Sequence, residues 1–177
     1  MCRCGSSVGH CSFVNCTAKI GGAVYCDGAN CSVLSCSFID CFADDGGAIR
    51  WVYPNYGVVS GCSFVNCSSN NNGGAISLWN YNSSVINCSF IDCFSKICGG
   101  AIYCTGDNCS VVNCSFVNCI ANMGGAINLG NYNSSVLSCS FVNCAADDGG
   151  AIFCYDSIGS VLSCSFVNCA ANVGGAV

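Results

Sequence analysis

Apolar and polar positions along this chain alternate in short bursts that recur at a fixed interval. From Val136 onward, Leu137, Cys139 and Phe141 alternate with Ser138 and Ser140, a period of two that predicts a strand with one buried face. The same trio returns as Leu34/Cys36/Phe38, Ile86/Cys88/Phe90, Val112/Cys114/Phe116 and Leu162/Cys164/Phe166. A polar corner of four or five residues follows, such as Ala145-Ala146-Asp147-Asp148, and Gly149-Gly150-Ala151-Ile152 then opens a second strand. The position after that Ile or Val is Tyr25, Arg50, Ser77, Tyr103, Asn128 or Phe153, a mixture that predicts an exposed face. The next position is Cys, Trp or Leu throughout, which predicts an inward one and places Trp51 inside.

The interval itself is the stronger signal. Cys-Ser-Phe-[Val/Ile]-[Asn/Asp]-Cys begins at Cys11, Cys36, Cys62, Cys88, Cys114, Cys139 and Cys164, always 25 or 26 residues apart. Gly-Gly-Ala keeps the same beat from Gly21 to Gly174. A fixed period in this range marks a solenoid, whose units bury their apolar faces against one another. Constant strands joined by elastic turns predict an all-β chain, a parallel β-helix of about seven coils spaced ~4.8 Å. A leucine-rich repeat has an overlapping period, but Gly-Gly-Ala-Ile reads as a strand where that fold places a helix or 3₁₀ turn. Residues 1–6 read as a tail or partial coil and 7–177 as the array, with uncapped ends suited to end-to-end self-association. The stop at Val177, midway through a unit, reads as a piece of a longer chain.

Stacking turns repeated letters into columns. Phe13, Phe38, Phe64, Phe90, Phe116, Phe141 and Phe166 should form one aromatic stack. Asn15, Asp40, Asn66, Asp92, Asn118, Asn143 and Asn168 form a column restricted to Asn and Asp. Such a column suits either a side-chain ladder or a turn with unusual backbone angles. Most of the 22 cysteines belong to the hexapeptide. Five extended residues separate its two Cys by more than the ~7 Å a bridge tolerates, so these are expected to be stacked thiols. Cys26/Cys31 and Cys104/Cys109 differ, because each pair flanks a Gly/Asn turn and lacks an axial thiol partner. They are candidate turn-closing disulfides. No Cys-x-x-Cys occurs and His10 is the sole histidine, so neither a metal nor another cofactor is expected.

Composition narrows the function classes. Charged residues make up 7% of the chain, the net charge is −5 and the four basic residues are scattered, which argues against nucleic acid as a partner. Mean hydropathy is +0.55, yet no apolar run approaches the ~20 residues of a spanning helix. The first residues lack the apolar stretch of a secretory signal. Sequons at Asn82 and Asn133 fall in turns where a glycan could fit.

Gly-Gly-Ala-[Ile/Val] in seven phased copies, combined with Phe-x-x-(polar), resembles the repeats of the polymorphic outer-membrane proteins, which are autotransporter adhesins. Here a Cys stands where that family carries Asn, three residues after the Phe. The resemblance implies a right-handed parallel β-helix on a cell surface or outside the cell, and a structural or adhesive role. Exposed aromatics that could serve it are Tyr53, Tyr56, Trp79, Tyr81, Tyr103, Tyr132 and Tyr155, which could stack on sugars or anchor a protein surface. No catalytic residue is assigned. A β-helix polysaccharide lyase or hydrolase is the alternative, resting on Asp44/Asp45 and Asp147/Asp148 at matching corners. The second alternative is an ice- or lattice-binding face made by the Ser12-to-Ser165 column.

Overall fold

The computed structural model describes residues 5–52, 56–79, 81–130, 132–155 and 159–177. The described chain contains strands and turns but no helix, and it winds about six turns of a parallel β-solenoid. Four parallel sheets run along its length, and neighbouring strands come from successive coils.

The valine face has seven strands, from Ser7–Gly9 to Ser160–Leu162, and the phenylalanine face has seven, from Ser12–Val14 to Ser165–Val167. A short corner sheet is made by Phe42–Asp45, Ser68–Asn72 and Phe94–Ser95 and extended by isolated bridges. The glycine face has six strands, from Val24–Cys26 to Ile152–Tyr155. Register is in step on the three main faces, where Phe38 pairs with Phe64 and Ile76 with Ile102, and shifts only in the corner sheet between Ser69 and Asn72.

The trio read as one strand is in fact two, and this corrects the inward pattern. Ser138 adopts φ 54°, as do its counterparts Ser35, Asn87, Asn113 and Ser163 within 2°. This left-handed kink separates Ser135–Leu137 from Ser140–Val142. Val136 therefore points inward at 0% exposure, while Leu137 turns out and is only half-buried. A five-residue rule runs through this part of each coil. A left-handed residue is followed by a small inward Cys, Ser or Gly, then an outward Ser (Val58 in one coil), then an inward Val or Phe. Asn30-Cys31-Ser32-Val33 and Ser35-Cys36-Ser37-Phe38 both obey it.

The Phe rings stack with centroids 4.8–5.0 Å apart and planes within 7° of parallel, from Phe13 to Phe166. The Asn/Asp column both turns the chain and forms a ladder. All seven residues have φ between 52° and 55°. Asn66 Nδ2 donates to Asp40 Oδ1 at 2.7 Å and Asn118 Nδ2 to Asp92 Oδ1 at 2.9 Å. Short amide side chains tolerate this backbone region and satisfy one another along the axis. Trp51 is buried at the core, with its ring lying where a Cβ on Gly57 would stand.

The Gly-Gly-Ala motif brings coils into closest contact. Gly99 takes φ +62°, which favours glycine. A Cβ on Gly100 would fall on the carbonyl oxygen of Gly125 and 2.7 Å from backbone atoms of Ile120. The carbonyl of Ala101 accepts two bonds from the preceding coil, from Ala75 N–H at 3.0 Å and Ile76 N–H at 2.9 Å.

Candidate binding cleft

The outward row of the glycine face is recessed rather than exposed, a second correction. Arg50 is 6% exposed, Ser77 0% and Asn128 5%, with Tyr25, Tyr103 and Phe153 half-buried in the same row. Walls of neighbouring columns cover the row. One wall carries Asp45, Asn72, Cys98 and Met123, linked coil to coil by bridges. The other carries Trp79, Thr105, Gly130 and Tyr155 on successive coils.

At one end of this cleft Arg50 organises the aromatic wall. Its Nη1 donates to Ser77 Oγ at 2.6 Å and lies 3.7 Å from Asp45 Oδ1. Its guanidinium carbon sits 4.4 Å from the Trp79 ring centroid. Burial lowers the Arg50 pKa, opposed by Asp45, but a guanidinium keeps its charge at any physiological pH. Its Nε has no partner, so the ring and Asp45 offset only part of the desolvation cost. Trp79 in turn leans on Tyr103, with centroids 6.3 Å apart at 53°.

Farther along, the cleft deepens into a slot of about 340 Å³ lined by Cys98, Tyr103, Thr105, Met123, Asn128, Gly130, Phe153 and Tyr155. Tyr103 and Phe153 are the register partners of Asn128 in the coils on either side. Burial raises the Tyr103 pKa, so its phenol keeps the proton it can donate.

Of the seven candidate aromatics, Trp79, Tyr103 and Tyr155 meet at this cleft. Tyr56, Tyr81 and Tyr132 are 50–62% exposed and lie on the turn beyond it, where Tyr56 N–H bonds Tyr81 O. Tyr53 lies outside the described residues. Met123 was not noted from sequence, and Asn128 and Phe153 were read only as members of an exposed row, because nothing in one coil's alternation reveals the height of the walls beside it.

The second feature is an open trough of about 510 Å³ along the kink between the valine and phenylalanine faces. Ser63, Ser89, Ser115 and Ser140 line it, with Cys62, Cys88 and Cys114 at its base. These sulfurs have a structural task. Each accepts the N–H of the Cys one coil back, at 3.4 Å for Cys36 to Cys62 and for Cys62 to Cys88. Each thiol also donates to the carbonyl two residues before it, as Cys62 does to Ser60 at 3.4 Å.

No disulfide joins Cys26 to Cys31 or Cys104 to Cys109, which corrects the expected pairing. Cys31 and Cys109 fill the small inward slot after a left-handed Asn that Ser83 and Ser134 fill in other coils. Cys26 and Cys104 take the place of Leu78 and Leu129. The thiols bond turn carbonyls instead, Cys31 to Gly28 at 3.3 Å and Cys104 to Gly106 at 3.9 Å.

Burial pushes the Cys119 and Cys98 thiols up, and the adjacent Cys104 thiol together with burial does so for Cys109. A proton held more tightly in the folded state supports folding fully below the unfolded thiol's pKa of about 8.5. That support is lost as the pH rises from there through the folded values. The urea midpoint should thus hold steady from about pH 6 to 8 and fall steeply above about pH 9. A midpoint unchanged to about pH 10.5 would contradict the burial of these thiols.

The carboxylates are tied into ladders. Asn70 Nδ2 donates to Asp44 Oδ1 at 2.8 Å, Asn72 Nδ2 to Asp45 Oδ1 at 3.1 Å, and Asn172 Nδ2 to Asp147 Oδ1 at 3.3 Å. Asp45 and Asp148 share a column four coils apart, roughly 19 Å at strand spacing. Among the described residues no group of three or more His, Cys, Asp or Glu is arranged to hold a metal, and no helix is long and apolar enough to cross a membrane. Compared with protein-family models, curated proteins and solved structures, the chain matches none.

Proposed function

We propose that this chain is the adhesive, non-enzymatic solenoid of a cell-surface or secreted protein, one that holds proteins or glycans of other surfaces through its faces. The cleft on the glycine face carries the reading. It sets a buried Arg50 and Asn128 beneath Trp79 and Tyr155, whose rings stay 47% and 64% exposed. Aromatic side chains around a desolvated polar floor are the usual anchors of a binding surface. A stiff array also presents such a cleft at constant geometry. The phased Gly-Gly-Ala-[Ile/Val] motif, which resembles the repeats of the polymorphic outer-membrane adhesins, supports the same reading.

Beads coated with the protein test it by their retention on cultured cells and on matrix-coated glass. Retention should exceed that of beads carrying an unrelated protein. A Trp79→Ala/Tyr155→Ala double variant should lose it roughly tenfold or more, since buried interface aromatics commonly contribute over 1 kcal/mol each. Equal retention of intact and unrelated beads overturns the reading.

A further inference from the structure

The slot at the deep end of the cleft has a chemical signature more specific than a general adhesive face. Its floor is the carboxamide of Asn128, 95% buried, with no hydrogen bond to any described residue. Its amide atoms are not among the sealed, unpartnered polar atoms of the described residues, so a partner entering the slot can reach them. A carboxamide donates through its N–H₂ and accepts through its oxygen. A small complement is another amide, whose carbonyl can accept from the N–H₂.

The surroundings define the rest of that partner. Tyr103 and Phe153 stand one coil to either side of Asn128, and Met123 closes the flank. These apolar walls suit a methyl group beside the incoming amide. No charged side chain lines the slot, which disfavours ionic ligands. At about 340 Å³ its volume lies near the lower end for small-ligand pockets. The mouth has the exposed ring of Tyr155 on the wall and a gap beside it where Thr105 and Gly130 replace large residues. A flat ring with an apolar face can lie against that tyrosine while its substituent reaches the floor.

We infer that this slot is a subsite for the acetamido group of an N-acetylated sugar within a neutral glycan chain. The acetamido carbonyl accepts from Asn128 N–H₂, its methyl packs on Met123 and Phe153, and the pyranose lies on Tyr155. The inference rests on the binding role proposed above and names the ligand for its deepest part.

Calorimetric titration of the whole protein tests it with three probes: an N-acetylglucosamine trimer, a glucose trimer, and a peptide bearing an acetylated lysine. The acetamido trimer should bind at least about tenfold more tightly than either of the others, a difference of about 1.4 kcal/mol. Asn128→Leu and Gly130→Leu should each abolish its binding. Gly130 tolerates a side chain, since a Cβ there meets Thr105 only at 3.5 Å. If either variant misfolds by circular dichroism, Tyr155→Ala on the exposed rim takes its place and should weaken binding severalfold. Equal binding of the glucose trimer overturns the acetamido assignment, and preference for the acetylated peptide overturns the glycan. No binding by any probe, with beads still retained on surfaces, overturns this inference while leaving the adhesive role standing. Loss of both overturns both.

Discussion

Replacing Gly100 by alanine should unfold the middle of the rod, while the same change at Gly175 should be nearly silent. The two glycines hold equivalent places in the motif and differ only in what stands on the next coil. A methyl at position 100 would occupy the space of the Gly125 carbonyl oxygen and crowd the backbone of Ile120 at 2.7 Å. Neither obstacle is a side chain that could swing away. Relief requires the coils to separate, which breaks the paired bonds that Ala101 and Ile102 give to the Ala126 carbonyl. The cost should exceed about 4 kcal/mol, in the range reserved for severe core or backbone conflicts. At Gly175 the nearest atom to such a methyl is Cys169 O at 3.9 Å, an ordinary contact. Urea unfolding followed by circular dichroism reads both changes. Comparable midpoints for the two variants would refute the close coil contact.

Phe90→Ala should destabilise the protein by about 3–5 kcal/mol, the range for deleting a buried aromatic ring. Phe90 is fully buried, and its ring touches Phe64 on one side and Phe116 on the other, at 4.8 and 4.9 Å. The void would open along the axis, and in-register backbone pairing at Ser89–Ile91 keeps the neighbours from closing it. Phe13→Ala, at a half-buried position with a single stacked neighbour, should cost distinctly less. Amide exchange adds a spatial readout, because a solenoid transmits damage mainly to adjacent units. Protection should fall first in the coils flanking Phe90. Uniform loss across all coils would mean that the array behaves as one cooperative block.

The coil, its register and the two aromatic assignments inside it (the Phe stack and Trp51) were legible because one unit is written seven times. Strict recurrence converts a weak local pattern into a three-dimensional column. The kink at Ser138 was hidden for a physical reason. A left-handed residue rotates the chain without disturbing the apparent alternation that follows it, so Cys139 and Phe141 stay inward while Leu137 does not. The cue was present in the unvarying valines Val33, Val59, Val85, Val111 and Val136, all at 0% exposure. Candidate aromatics were partly legible as residue types. Their convergence was not, because the cleft depends on the heights of two separate columns on either side of the Arg50–Asn128 row. No bridge forms although the Cys104 and Cys109 thiols lie side by side; across the coils Cys31 fills the place that Ser83 fills elsewhere.

Parallel registration has a genetic corollary. Each coil presents to the next nearly the same edge that it receives from the previous one, so excising or duplicating a whole 25- or 26-residue unit brings like edges together again. Recombination between such similar stretches could lengthen or shorten the rod without inventing any new interface. The cleft would not be indifferent to such events, because Trp79, Arg50 and Asn128 each occur on one coil alone, so the site, unlike the scaffold, depends on the order of its units.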